Sequence, residues 1–96
     1  MLCQFFFAYC YSVRSELRDA IQTQVARLLR ETRLSRELSL NQLAEKAGLS
    51  RQMVSYVEQE KRNPSLGVLL RLSEILEIKL EDLIRKARAA AQKQSR

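Results

Sequence analysis

The side chains that most often move protons or hold metals are scarce in this chain. Histidine is absent, so the two cysteines, Cys3 and Cys10, lack the imidazole partners a zinc site would need. No Ser/His or Cys/His nucleophile can be assembled either. The residue types therefore predict neither an enzyme nor a metal or other cofactor. What remains is hydrogen bonding and ion pairing, concentrated in the stretch LNQLAEKAGLSRQMVSYVEQEK, residues 40–61. Within it, Val54 and Val57 occupy inward helical positions and leave Arg51, Gln52, Ser55 and Tyr56 on other faces. The polar run Lys61, Arg62 and Asn63 follows directly.

Those side chains must be positioned by helices. Two glycines and one proline in 96 residues leave little material for the turns of a sandwich or barrel, and the length allows one domain at most. A first helix is expected from about Ser15 to Leu34, with Ser15 as N-cap and Leu17, Ile21, Val25, Leu28 and Leu29 on one stripe. Ser39, three residues before Gln42, has capping-box spacing and opens a second helix that buries Leu40, Leu43, Ala44 and Ala47. Gly48 ends it with a left-handed turn, and Ala44 suits a close helix crossing. Ser50 caps a third helix, Arg51 to Gln59. Pro64 and Ser65 start a fourth, packed through Leu66, Leu69, Leu70, Leu72, Ile75 and Leu76. A fifth runs from Leu80 to about Ala90 and carries Leu83, Ile84 and Ala87. The expected fold is all-α, five helices with short connections.

Composition divides the chain into an apolar aromatic arm (1–14), the helical domain (15–90) and a basic tail (91–96). Five of the six aromatic residues precede Ser12, in a segment too short to span a bilayer and without the basic start of a secretory signal. A cytoplasmic protein with reduced thiols and no membrane partner is the expectation. The formal charge of +6 is no simple pointer to an anionic partner. Residues 14–82 hold 12 basic against 11 acidic side chains, while residues 83–96 hold five basic and no acidic ones. That tail suits a solubilising helix end at least as well as an anion-binding element.

From about Leu29 through Leu83 the sequence resembles the helix-turn-helix regulators of the phage repressor and Cro (XRE-like) family. The residues that carry the likeness are Arg33, Leu38-Ser39, Leu43-Ala44, Gly48-Leu49-Ser50-Arg51, Val54-Ser55, Glu58, Lys61, Pro64-Ser65 and the run Leu66 to Leu83. The resemblance implies that Ser50 to Gln59 is a recognition helix that enters the DNA major groove by its N-terminal end. Arg51 then suits guanine O6 and N7, and Gln52 suits adenine, with Ser55 and Tyr56 as further base contacts one turn later. Phosphates would be met by Ser39, Ser50, Lys61, Arg62 and Asn63. Arg33 and Glu58 match a pair that ties the first helix to the recognition helix. Ordinary caps, a solvated helix start and unrelated surface charges are the competing readings of the same residues.

The sequence departs from the family at Glu37, Glu60 and Glu77, where relatives often have glycine after a helix. Either the helices run longer there, or each glutamate bears a left-handed backbone at roughly 1 kcal/mol or more. Leu40 stands where relatives often have a phosphate-binding glutamine, and Thr32 where they have leucine. Specific affinity normally needs two half-sites, so a homodimer on a palindromic operator is expected. Its interface has two candidate sources: Leu80, Leu83 and Ile84 in the last helix, or the arm with Phe5, Phe7 and Tyr9. Alternating aromatics in the arm fit a strand exchanged with a second copy. Packing on the chain's own helices, and an upstream start foreign to the natural protein, are the alternatives. The functional expectation is a transcriptional regulator, most simply a repressor that excludes polymerase. A restriction-modification controller and an antitoxin that also binds a toxin are further forms of this expectation, and a protein-interaction module on the same scaffold is the runner-up.

Overall fold

Local signals decide where the helices start and stop. In the computed structural model, which describes the backbone of residues 2–94 and the side chains of residues 16–93, they give five helices: α1 (Leu2–Ser35), α2 (Leu40–Ala47), α3 (Arg51–Glu58), α4 (Leu66–Ile75) and α5 (Leu80–Gln94). Ser39, Ser50 and Ser65 are the N-caps of α2, α3 and α4, each with an extended backbone and a side chain that accepts from the third residue of its helix. The Ser39 box is complete, because Gln42 Oε1 also accepts from the Ser39 N–H at 2.8 Å.

Helices α1 to α4 each close through a left-handed residue. Gly48 has φ 71°, and the next N–H, that of Leu49, returns to Ala44 O at 2.9 Å. The same closure recurs after α1, α3 and α4, where Leu38, Lys61 and Ile78 donate to Arg33 O, Tyr56 O and Ser73 O. There the left-handed residue is a glutamate: Glu37 at φ 58°, Glu60 at 62° and Glu77 at 58°. Thus the turns keep the geometry a glycine would adopt and bear the Cβ strain, rather than extending the helices. Replacing Glu37 or Glu60 by glycine should raise unfolding stability by about 1 kcal/mol each. Glu77→Gly should gain somewhat less, since Glu77 also pairs with Arg36 at 3.5 Å. Urea midpoints measure this; a lower midpoint for all three would contradict the strain.

The core lies where α1, α2, α3, α4 and α5 converge on Leu29, Leu43, Val54, Val57, Leu72, Leu76, Leu83 and Ala87. Burial of these side chains, roughly 1.5–3 kcal/mol for each large one, is what holds helices too short to persist alone. Helix α1 packs most extensively on α5. Leu28 and Thr32 border one hollow with Ile78 and Asp82, while Ile21 and Val25 border another with Ile84, so α1 and α5 run antiparallel. Ala87 and Ala91 are fully buried, and these small side chains let the two helices approach closely.

The structure departs from five sequence expectations. Helix α1 starts at Leu2, upstream of Ser15, which lies inside it and is not at its N-terminus. The strand suggested by Phe5, Phe7 and Tyr9 does not form: the chain offers it no partner, and a helix satisfies its own backbone groups. The side chains of those three residues lie outside the described part, as do Ser95 and Arg96. Helix α3 ends at Glu58, with Gln59 as its C-cap, and α5 continues past Ala90 to Gln94 because Ala91 is still core. Leu66 and Leu70 are 66% and 47% exposed and do not pack. They stand one turn apart on α4, off the stripe formed by Leu72, Leu76 and their neighbours. Among the described residues, no helix is long and apolar enough to cross a membrane.

Candidate nucleic-acid interface

The opening turn of α3 is the centre of the site. Helix α2 supports it through Leu43, Ala44 and Ala47, all buried, and the left-handed Gly48 lets the chain reverse into the Ser50 cap. Val54 and Val57, at 0% and 2% exposure, fix the rotation of α3 by pinning one face in the core. The opposite face is thereby turned outward. Arg51 and Gln52 are exposed, and Ser55 and Tyr56 are half-buried one turn later.

A buried ion pair sets the far end of α3. Arg33 Nε and Nη2 donate to Glu58 Oε2 and Oε1 at 2.8 and 3.0 Å, and Arg33 Nη1 donates to the Leu38 carbonyl at 2.9 Å. The two side chains are 9% and 6% exposed. This two-pronged geometry fixes direction as well as distance, because the guanidinium and the carboxylate are both planar. One guanidinium therefore ties together α1, α3 and the turn before α2.

Side-chain contacts continue along the outer face of α3. Gln52 Nε2 donates to the Tyr56 hydroxyl at 2.7 Å, and Gln59 Nε2 donates to Ser55 Oγ at 2.8 Å. The Lys61 ammonium stands 5.7 Å from the centre of the Tyr56 ring, within cation–π range. Gln59 was missed by sequence reasoning, as was the Gln52–Tyr56 contact. Both follow an i,i+4 spacing that was legible in the sequence.

Of the residues expected to meet phosphate, Ser39, Ser50, Lys61, Arg62 and Asn63 are all exposed. Ser39 and Ser50 act as caps, their oxygens accepting at 3.0 Å from Gln42 and Met53 N–H groups, which leaves each hydroxyl proton free to donate elsewhere. The loop after α3 splits in two directions. Arg62 joins Ser50, Gln52, Met53 and Tyr56 around a notch of about 120 Å³. Asn63 and Glu60, with Arg62 again, border the hollow against α1, together with Ile21 and Thr23. Lys61 and Arg62 thus stand beside Tyr56 on the α3 side, Arg62 also reaches the hollow against α1, and Asn63 borders that hollow alone. On α5, Leu83 is 3% exposed and belongs to the core of its own chain. Leu80 and Ile84 are half-buried.

Residues 29–83 match the family model described as Helix-turn-helix. Among solved structures, the restriction-modification controller protein C.AhdI from Aeromonas hydrophila shares 37% identity, over 65% of this chain and 94% of that one, with a TM-score of 0.62. The biofilm master regulator SinR, solved in complex with DNA, shares 30% identity over 62% of this chain and 97% of that one, with a TM-score of 0.59. The clp gene regulator ClgR from Corynebacterium glutamicum has a TM-score of 0.72 over 78% of this chain and 80% of its own, at 21% identity, a likeness of fold alone. No curated protein sequence matches.

Proposed function

Because the chain belongs to the helix-turn-helix family of phage repressor and Cro-like regulators, we propose that it represses transcription as a homodimer bound to a palindromic operator. The observation that carries this reading is the exposed Arg51 and Gln52 at the opening turn of a helix whose other end is locked by Arg33 and Glu58. Arg51 reads guanine through two parallel hydrogen bonds, Gln52 reads adenine, and Ser55 and Tyr56 extend the contact surface. Lys61, Arg62 and Asn63, with the Ser39 and Ser50 hydroxyls, supply phosphate contacts that set affinity and register.

The likeness to a restriction-modification controller protein, across nearly all of that chain, supports autonomous regulation by a domain of this size. Leu80 and Ile84 on α5, and the first turns of α1 with Phe5, Phe7 and Tyr9, are the surfaces assigned to the second copy. Leu83 serves the core behind them. Bound across a promoter, such a dimer blocks polymerase by occupancy.

Selection from random duplexes tests the reading. The expected product is an inverted repeat with half-sites about 10 base pairs apart, or a multiple of that spacing, bound with a steep loss of affinity as salt rises. Arg51→Ala should erase a guanine preference at the symmetry-related positions, a discrimination of roughly 1–3 kcal/mol per contact. Recovery of no enriched sequence, or an Arg51→Ala effect equal on all duplexes, would sink it.

A further inference from the structure

We infer that Tyr56 is a positioning residue for base recognition: its hydroxyl holds the Gln52 amide in the orientation that selects adenine. The inference rests on the DNA-reading role of α3 and adds a second task, carried by the hydroxyl, to the contact surface that the Tyr56 ring extends.

A glutamine on an exposed helix face rotates about three side-chain bonds, and fixing it on binding costs conformational freedom. Gln52 meets part of that cost before DNA arrives. Its Nε2 already donates to the Tyr56 hydroxyl, and the Tyr56 ring is itself steadied by the Lys61 ammonium. An amide nitrogen carries two protons. With one given to Tyr56, the other remains beside Oε1, and together they form a donor next to an acceptor. In the major groove only adenine offers the complementary N7 acceptor and N6 donor.

A hydroxyl can also donate, so the contact alone would let the amide turn over and present its oxygen to Tyr56. The surroundings remove that freedom once DNA is bound. Tyr56 shares its notch with the Ser50 cap and Arg62, a place suited to a phosphate oxygen. Phosphate only accepts hydrogen bonds. It therefore takes the Tyr56 proton and leaves the phenol oxygen as an acceptor for Nε2. The phosphate contact and the base contact are thereby joined through one hydroxyl.

The test uses the full chain and the operator recovered from random duplexes, with affinities measured for the operator and for its single base-pair variants. Gln52→Ala should abolish the preference for adenine at one position of each half-site. Tyr56→Phe keeps the ring and removes the hydroxyl. It should weaken that same preference about five-fold or more, leave the preferences at other positions and the thermal melt unchanged, lower affinity for all duplexes alike through the lost phosphate contact, and cause no further loss of base preference in the Gln52→Ala background. If Tyr56→Phe keeps the adenine preference that Gln52→Ala loses, or loses preference at a different base pair, the inference is overturned while the DNA-reading role of α3 stands. If Gln52→Ala alters no position, both the inference and the Gln52 contact are overturned, and the guanine preference lost in Arg51→Ala still decides the larger reading.

Discussion

Arg33→Ala should lower the unfolding free energy by about 3–5 kcal/mol, a large share of the roughly 5–15 kcal/mol that a domain normally has. The effect is large because the substitution leaves Glu58 charged, buried and without its two donors, and leaves the Leu38 carbonyl without Nη1. The net worth of the intact pair is much smaller, since desolvation of both groups offsets most of their attraction. Two measurements separate these quantities. The single variant should melt ~12 °C or more below the parent, at roughly 4–8 °C per kcal/mol. The double variant Arg33→Met, Glu58→Met buries no charge and should be more stable than Arg33→Ala. A melting temperature within ~3 °C of the parent for Arg33→Ala would show that the pair is not buried in solution. DNA affinity adds a third readout, because the double variant regains stability without regaining the planar, two-pronged contact that orients α3. Its operator affinity should stay below the parent's even at temperatures where both are folded.

How much of this was legible in the sequence depends on the range of each signal. Ser39 with Gln42, Ser50 and Gly48 were readable because a cap is settled within four residues. Arg33 and Glu58 lie 25 residues apart. No periodicity joins them, and they were found only because the surrounding spacing resembles a known family. The glutamates at the left-handed turns show the same limit. Nothing in glutamate's own preferences marks positive φ, and only the family's glycine positions drew attention to Glu37, Glu60 and Glu77. Helix α4 was misread for another reason. Its sequence LGVLLRLSEI is apolar at too many positions to define one stripe, so the partners of α4, and not its pattern, decide that Leu72 is buried and Leu66 and Leu70 are exposed. The arm failed similarly: alternating aromatics suit a strand, but a strand without a partner yields to a helix.

The same chemical change should have very different consequences at a leucine of α2 and a leucine of α4. Leu43→Ala should cost about 2–5 kcal/mol, whereas Leu66→Ala should stay within about 0.5 kcal/mol. Leu43 is 1% exposed and is the one large fully buried side chain of α2; its buried companions there are Ala44 and Ala47. Eight residues are too few to hold a helix in isolation, so the attachment of α2 rests chiefly on that side chain. The gap it leaves cannot close easily. Helix α2 is anchored at one end by the Ser39 capping box and at the other by the Leu49 to Ala44 bond across Gly48, and either would have to shift for the core to collapse. Leu66, by contrast, is 66% exposed, and its loss opens no cavity. Chemical denaturation of both variants measures the difference through the midpoint at constant slope. Equal midpoints would mean that α2 is not seated on Leu43. The functional corollary follows from the packing of α2 on α3: with Leu43 truncated, the angle between the two helices is less tightly held. The contacts proposed for Ser39 with phosphate and Arg51 with a base would then no longer fit one duplex together, and operator affinity should fall more than affinity for unrelated DNA.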